Sequence, residues 1–285
     1  MKIADTLIVM ISDMHSGGST ALFPPRTFGD ENQNHTPTTQ QLRIYDVWKK
    51  CYQYAAGARR GKRLIVVHNG DATEGLHHNT IQVSLMSKNT QAAAHTELMD
   101  EFLRAVEFDR SGGDLLYYTR GTETHVGDIE NDIARDLGAE QRDEKIFVWD
   151  HLTLNVNGRL LWYLHHGKRA GDGANEGNAL RNSLRDIYWN CQKVGQAPPD
   201  VVTTSHVHTP TTCVYSARAN EGGEWHEIRG IILPSWQEKT RFAKEKMPFA
   251  RNEIGGCFLE ISAAGSIGKP KFILKETEKS EVVLT

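Results

Sequence analysis

Asp13 and His15 close the apolar run TLIVMIS in the segment SDMHSGG, and a spacing of two on extended backbone points both side chains to one side, as one metal ion would require. Asp71 follows Gly70 in HNGDATEG, after the run RLIVVHN. Glu123 and His125 crowd into RGTETHVGD behind DLLYYT, with Gly121 supplying the turn. His165 and His166 end YLHHGKR, while His206 and His208, again two apart, end TTSHVHTP. Each group alone has an ordinary explanation, an Asp that caps or a His that is solvated in a loop. The set does not, because every member falls just after a strand candidate. Hard carboxylates mixed with imidazoles and no thiolates favour Mn²⁺, Fe or Zn²⁺ over soft-ligand metals or Ca²⁺.

The elements that must position these residues are short apolar runs alternating with helical patterns. The runs fall at 6–12, 63–69, 114–119, 145–150, 152–158, 159–166, 200–206, 211–217, 227–235, 256–262 and 271–276, and the helical stretches at about 38–60, 91–111, 129–138 and 175–194. The first part therefore reads as β-α-β with parallel strands and the last third as mostly antiparallel strands. Asn157-Gly158 is the strongest short-range turn signal. TLIVMI and RLIVV are apolar throughout, so both faces are buried and helices should cover the sheet. In an open α/β sheet the ligand site lies at the carboxyl ends of the strands, where the Asp and His residues are.

With no repeat and no Pro/Ser-rich linker, the whole chain, 1–285, reads as one domain. Its 39% apolar content is ample for a core, and a formal net charge of −3 exerts no global pull toward nucleic acid or membrane. Cys51, Cys191, Cys213 and Cys257 lie far apart, which argues against a Cys-ligated zinc or a disulfide framework and suits core thiols in a reducing compartment. The early apolar run is too short for a signal peptide or a membrane span, so a cytoplasmic location with no membrane partner is expected.

The order D-x-H, G-D-x-x-[DE], a turn like G-N-H-[DE], H-G and G-H-x-H resembles the signature of the calcineurin-like metallophosphoesterases. Here it stands as Asp13-Met14-His15, Gly70-Asp71-Ala72-Thr73-Glu74, Gly121-Thr122-Glu123-Thr124-His125, His166-Gly167 and Ser205-His206-Val207-His208, over about residues 7 to 210. GDATEG and RGTETHVG are also similar to phage-encoded members, which would place the chain in a host cytoplasm. The resemblance implies an α/β fold, a four-layer α-β-β-α sandwich of two mixed sheets, with two divalent ions at the strand ends. Mn²⁺ is the foremost candidate, with Fe, Zn²⁺ or Ni²⁺ as alternatives. By motif position Asp13, His15 and His208 would hold one ion, Asp71 would bridge, and His166 and His206 would hold the second. Ions about 3.5–4 Å apart acidify the water between them into a nucleophile for in-line attack on a phosphoester.

The departures centre on RGTETH. Without a gap Thr122 replaces the family's Asn ligand and Glu123 its catalytic His. A lengthened turn is the preferred reading, in which Glu123 becomes the second-metal ligand and His125 the imidazole near the leaving group, with Glu74 the acid that orients it. Ser205 stands for a Gly, a minor change. Of His165 and His166, adjacent strand residues that face opposite ways, the family position favours His166. His77 and His78 are candidates for substrate contact; His35, His95, His151 and His226 read as structural or surface residues.

A phosphodiesterase or nuclease acting on DNA, RNA or nucleotides is the first expectation. Its local support is Lys168, Arg169, Arg181 and Arg185, and the segment SWQEKTRFAKEKMPFAR, where Trp236, Phe242 and Phe249 interleave with cations. A phosphomonoesterase is the alternative, since Arg120 before Gly121 resembles the context of Ser/Thr phosphatases, although the Arg those enzymes carry after G-D-x-x-D is missing. A non-catalytic binding scaffold is the third, and it would predict eroded ligands.

Overall fold

A computed structural model describes residues 4–30, 33–76, 82–167, 175–219, 221–239 and 252–275. It is a mixed α/β structure with three sheets among the described residues. The six-stranded sheet has the order β13-β12-β1-β4-β5-β6. Strands β1 (Thr6–Ile11), β4 (Arg63–Asn69), β5 (Leu115–Thr119) and β6 (Val148–Trp149) run parallel. Strands β12 (Gly255–Ile261) and β13 (Lys271–Leu274) add antiparallel on the β1 side. The five-stranded sheet has the order β10-β11-β9-β8-β7, from β7 (Leu152–Val156), β8 (Arg159–His166), β9 (Val201–Ser205), β10 (Thr211–Ala217) and β11 (His226–Ile232).

All six residues of β1 are buried, and their alternation divides them between two cores. Leu7, Val9 and Ile11 pack with Ile44, Trp48 and Cys51 of α1 (Thr39–Ala58) and with Leu98, Met99 and Phe102 of α2 (Lys88–Ala105). Ile8 and Met10 instead meet Leu152, Leu154, Leu161 and Tyr163 of the five-stranded sheet. A third cluster sets Leu180, Leu184 and Tyr188 of α5 (Asn178–Lys193) against Val202, Ile228 and Ile232. The second cluster joins the two sheets, so truncating Leu161 to Ala there should cost about 2–5 kcal/mol. That is a large part of a domain's typical stability of about 5–15 kcal/mol.

Local chemistry explains the boundaries. Thr38 caps α1 in a capping box with Gln41. Asn157 and Gly158 both have positive φ, 52° and 82°, and join β7 to β8 with Val156 opposite Arg159, the two-residue hairpin that this dipeptide favours. All four cysteines are free and buried. The structure departs from or adds to the expectations in three places. The 145–150 run keeps only two strand residues, at the sheet's edge. The antiparallel pair of β2 (Phe28–Asp30) and β3 (Gln33–His35) is too short and too polar to carry a period-2 signal. In the last third β10–β11, β1–β12 and β12–β13 pair antiparallel as expected, while β9 lies parallel to β8, to which the α5 crossover returns the chain in the same direction, and to β11, which follows it after β10.

Candidate metal centre

The ends of β1, β4 and β5 meet the ends of β8 and β9 across the two sheets. After β1 the chain is zipped to the turn after β4, with Asp13 N–H on the Gly70 carbonyl at 2.9 Å, His15 N–H on Asp71 at 3.0 Å and Ser16 N–H on Ala72 at 3.0 Å. Asn69 ties the sheets together: its amide donates to the Leu164 carbonyl and to the Ser205 hydroxyl, and accepts from Thr119. Ser205 Oγ donates in turn to the Asn69 carbonyl at 2.7 Å, so this Ser is a buried joint of the site rather than a minor replacement for Gly. The close approach leaves no room at Gly121, where a Cβ would lie 2.2 Å from Asp71 N, nor at Gly70, with φ of 85° and His165 against it.

Asp13, His15, Asp71, His206 and His208 all have positive φ, between 46° and 72°, and make up five of the eight non-Gly residues in that region among those described. Such backbone costs on the order of 1–3 kcal/mol per residue and persists where surrounding contacts over-determine it, as at binding sites. Two groups of donor atoms result, each with all atoms within 4.8 Å of one another: Asp13, His15 and His208, and Asp13, Asp71, His165 and His206. His15, Asp71 and His125 form a further group, as do His165, His166 and His206. Asp71 Oδ2 lies 4.0 Å from His15 Nε2, 3.1 Å from His165 Nε2 and 3.8 Å from His206 Nδ1, so one oxygen faces both sides.

The electrostatics of this cluster are set by carboxylates that are fully buried beside imidazoles. Burial opposes ionisation of Asp13, but the contact with His208, whose Nε2 is 3.4 Å away, outweighs it and holds the carboxyl at about 2. Asp71 is held well below its ordinary value, since His165 and His206 more than offset its burial. For His15, burial favours the neutral ring, yet Glu74 and the two aspartates raise it to about 9; burial likewise acts on His165, which Asp71 and Asp13 raise to about 9. Asp13 Oδ1 and both ring nitrogens of His15 are buried and lack an aligned hydrogen-bond partner, although Glu74 Oε2 comes within 3.1 Å of His15 Nδ1. Buried donor atoms left facing one another in a ring of carboxylates and imidazoles fit divalent cations of the Mn²⁺, Fe or Zn²⁺ kind.

Not every expected residue joins. Glu123 is exposed in the first turn of α3 (Glu123–Val126) and belongs to none of these groups. Thr122 occupies the place instead: its N–H donates to Asp71 Oδ1 at 2.6 Å, and its hydroxyl is 3.3 Å from Asp71 Oδ2, 3.4 Å from His165 Nε2 and 3.5 Å from His206 Nδ1. Of the paired histidines, His165 is buried against Asp71 and His166 is exposed, its ring 4.8 Å from that of His206. Alternation explains the choice, because Leu161, Tyr163 and His165 share the inner face of β8. His125 does reach the cluster, with its ring 4.7 Å from His15 and Nδ1 2.8 Å from the Glu74 carbonyl. The Glu74 carboxylate contacts His15 and Gln237 and also acts electrostatically on His125, whose ring is held by the Glu74 backbone carbonyl.

Two further buried groups, Glu130, which gave no sequence signal, and His95, read from the sequence as structural or surface, border the site. Glu130 on α4 (Ile129–Asp136) accepts the Gly121 and Ala72 N–H groups, and burial raises its carboxyl to about 7 despite them. His95 sits on α2 with Nδ1 3.1 Å from the Ala72 carbonyl and Nε2 3.0 Å from Tyr118 Oη; burial lowers it to about 3, so the ring is neutral. Trp236 is fully buried against Trp48, which removes it as a base-stacking surface. Arg181 and Arg185 are exposed on α5, with Arg185 paired to Asp186. His77, His78, Lys168, Arg169, Phe242 and Phe249 lie outside the described residues. No protein-family model matches the chain, and no curated protein matches it either.

Proposed function

We propose that the chain is a dinuclear-metal phosphoester hydrolase of the calcineurin-like class, with phosphodiesters, including nucleic acid or nucleotides, as the favoured substrates. The observation that carries this reading is Asp71 Oδ2 facing His15 on one side and His165 and His206 on the other, at strand ends from both sheets. The three apolar clusters support the four-layer order, since they lie between helices and sheet, between the two sheets, and between sheet and α5.

Asp13, His15 and His208 would hold one cation and His165 and His206 the other, with Asp71 and the Thr122 hydroxyl between the two sets. Bound cations would supply Lewis acidity toward phosphoryl oxygens and toward water. His125 keeps a proton on Nδ1, because the Glu74 carbonyl can only accept. Any proton it exchanges with a leaving oxygen therefore passes through Nε2. Burial, then the neighbouring His15, lowers His125, so the neutral ring is its resting form at neutral pH.

A diester carries one negative charge where a monoester carries close to two, so it asks less of clamping cations. Among the described residues Arg120, a cation beside the Gly121 turn, pairs with Asp150 at 2.8 Å, which supports the diester. The test is an assay of the Mn²⁺-loaded chain on bis-p-nitrophenyl phosphate, p-nitrophenyl phosphate, single-stranded DNA and RNA. Turnover of the monoester alone would overturn the diesterase reading. A chain that binds two ions and turns over none of them would be a binding scaffold.

A further inference from the structure

Glu130 is a fully buried carboxyl group to which the proposed chemistry assigns nothing. Its Oε2 accepts the Gly121 N–H at 2.7 Å and its Oε1 the Ala72 N–H at 3.3 Å. Those two amides belong to different strand ends. Ala72 follows Asp71 in the turn after β4, and Gly121 precedes Thr122 in the turn after β5. The next amide along, Thr122 N–H, donates to Asp71 Oδ1 at 2.6 Å. Consecutive amides of one turn are thus held by two carboxylates, Asp71 from the site and Glu130 from α4 behind it.

Burying a carboxyl group is costly, and an acceptor with two oxygens is what two converging backbone donors need. A residue whose only task was to fill the core could sit anywhere along the inner face of α4, as Ile133 and Ala134 do. Glu130 alone among the buried residues of that helix bonds both turns. The spacing it sets has little slack, because a single added carbon at Gly121 would strike the Asp71 backbone at 2.2 Å.

We propose that Glu130 is a positioning residue for the metal centre: by tying the turns after β4 and β5 together it keeps the Asp71 carboxylate and the Thr122 hydroxyl between the two histidine sets. The inference rests on the two-metal reading of the site. Removing an outer partner that orients a metal ligand typically weakens metal binding by about 10–100-fold. Glu130→Gln keeps the size but offers one acceptor where two donors converge, and turns an NH₂ group on the other. Glu130→Asp keeps both oxygens on a shorter arm.

The experiment is calorimetric titration of the full chain with Mn²⁺, alongside melting curves taken in EDTA, for wild type and both variants. Wild type should bind two ions, Glu130→Gln should bind at least one of them roughly 10–100-fold more weakly, and Glu130→Asp should recover part of the loss. A Glu130→Gln variant that melts at a lower temperature in EDTA but binds both ions as wild type does would reduce Glu130 to a structural role and overturn the proposal. Should that variant not fold, Glu130→Asp decides by the same criterion, unchanged affinity counting against. A wild-type chain that takes up no Mn²⁺ would overturn the two-metal reading itself.

Discussion

Replacing His165 by Ala, with His166→Ala as its partner experiment, separates two histidines that differ by one position along β8. His165 Nδ1 lies 2.8 Å from the Asn69 carbonyl, which can only accept, so this nitrogen carries a proton and Nε2 is the atom turned to Asp71 at 3.1 Å. Without cations the ring is an imidazolium paired to Asp71, raised to about 9, and metal must displace its Nε2 proton. His165→Ala should therefore cost the metal-free protein about 3–5 kcal/mol, the usual penalty for removing one partner of a buried ion pair. The low end applies, because Thr122 N–H still bonds Asp71. It should also remove one ion of two by elemental analysis, and lower kcat by more than the roughly 10–100-fold that loss of an outer partner causes. His166→Ala, altering an exposed ring, should keep both ions and the melting temperature. Retention of two ions by His165→Ala with loss of one by His166→Ala would refute the reasoning and restore the family alignment.

Asp71→Asn should abolish turnover of every substrate and lower bound metal below two per chain, because a neutral amide cannot balance two cations; turnover with two ions retained would exclude a bridging role. Thr122→Val should weaken Mn²⁺ binding in a calorimetric titration, whereas Glu123→Ala should leave it unchanged, and the reverse result would mean that the RGTETH turn is set differently around the metals. His125→Ala should keep both ions and slow a diester by roughly 10²–10⁴, the worth of a positioned acid–base group, with a smaller loss for p-nitrophenolate as leaving group. In EDTA the melting temperature should fall from about pH 6.5 to 9, because His15 and His165 are raised to about 9 and their contribution is complete below the ordinary imidazole value and lost as pH climbs through the raised one. The increment produced by Mn²⁺ should grow over the same range as the ligands deprotonate; a flat profile in both would count against these groups being held charged in the metal-free site.

Trp236 shows where a local reading fails. Its neighbours in sequence are polar and basic, so the segment reads as a stacking surface, yet the indole packs edge-on against Trp48, 4.9 Å between ring centroids. Burial of an aromatic depends on a partner some 190 positions away in the chain, and no window of sequence contains that partner. The parallel pairing of β9 with β8 has a related cause, since strand direction is set by the α5 crossover and not by the composition of VVTTS.

The sequence by itself determined that Asp13, His15, Asp71, His206 and His208 follow apolar strands, because strand and turn chemistry are local and the period of two is visible in the residues. It also held, unused, the clue to His165: Leu161, Tyr163 and His165 alternate on one face. Only the tertiary structure decided that Thr122 rather than Glu123 faces Asp71, that the Glu74 carboxylate serves His15 while its carbonyl holds His125, and that Glu130 ties two turns together. Those outcomes depend on which backbone N–H groups and charges from separate strands come within about 3 Å of one another, a hydrogen-bond reach that is settled when the sheets pack and not along the chain.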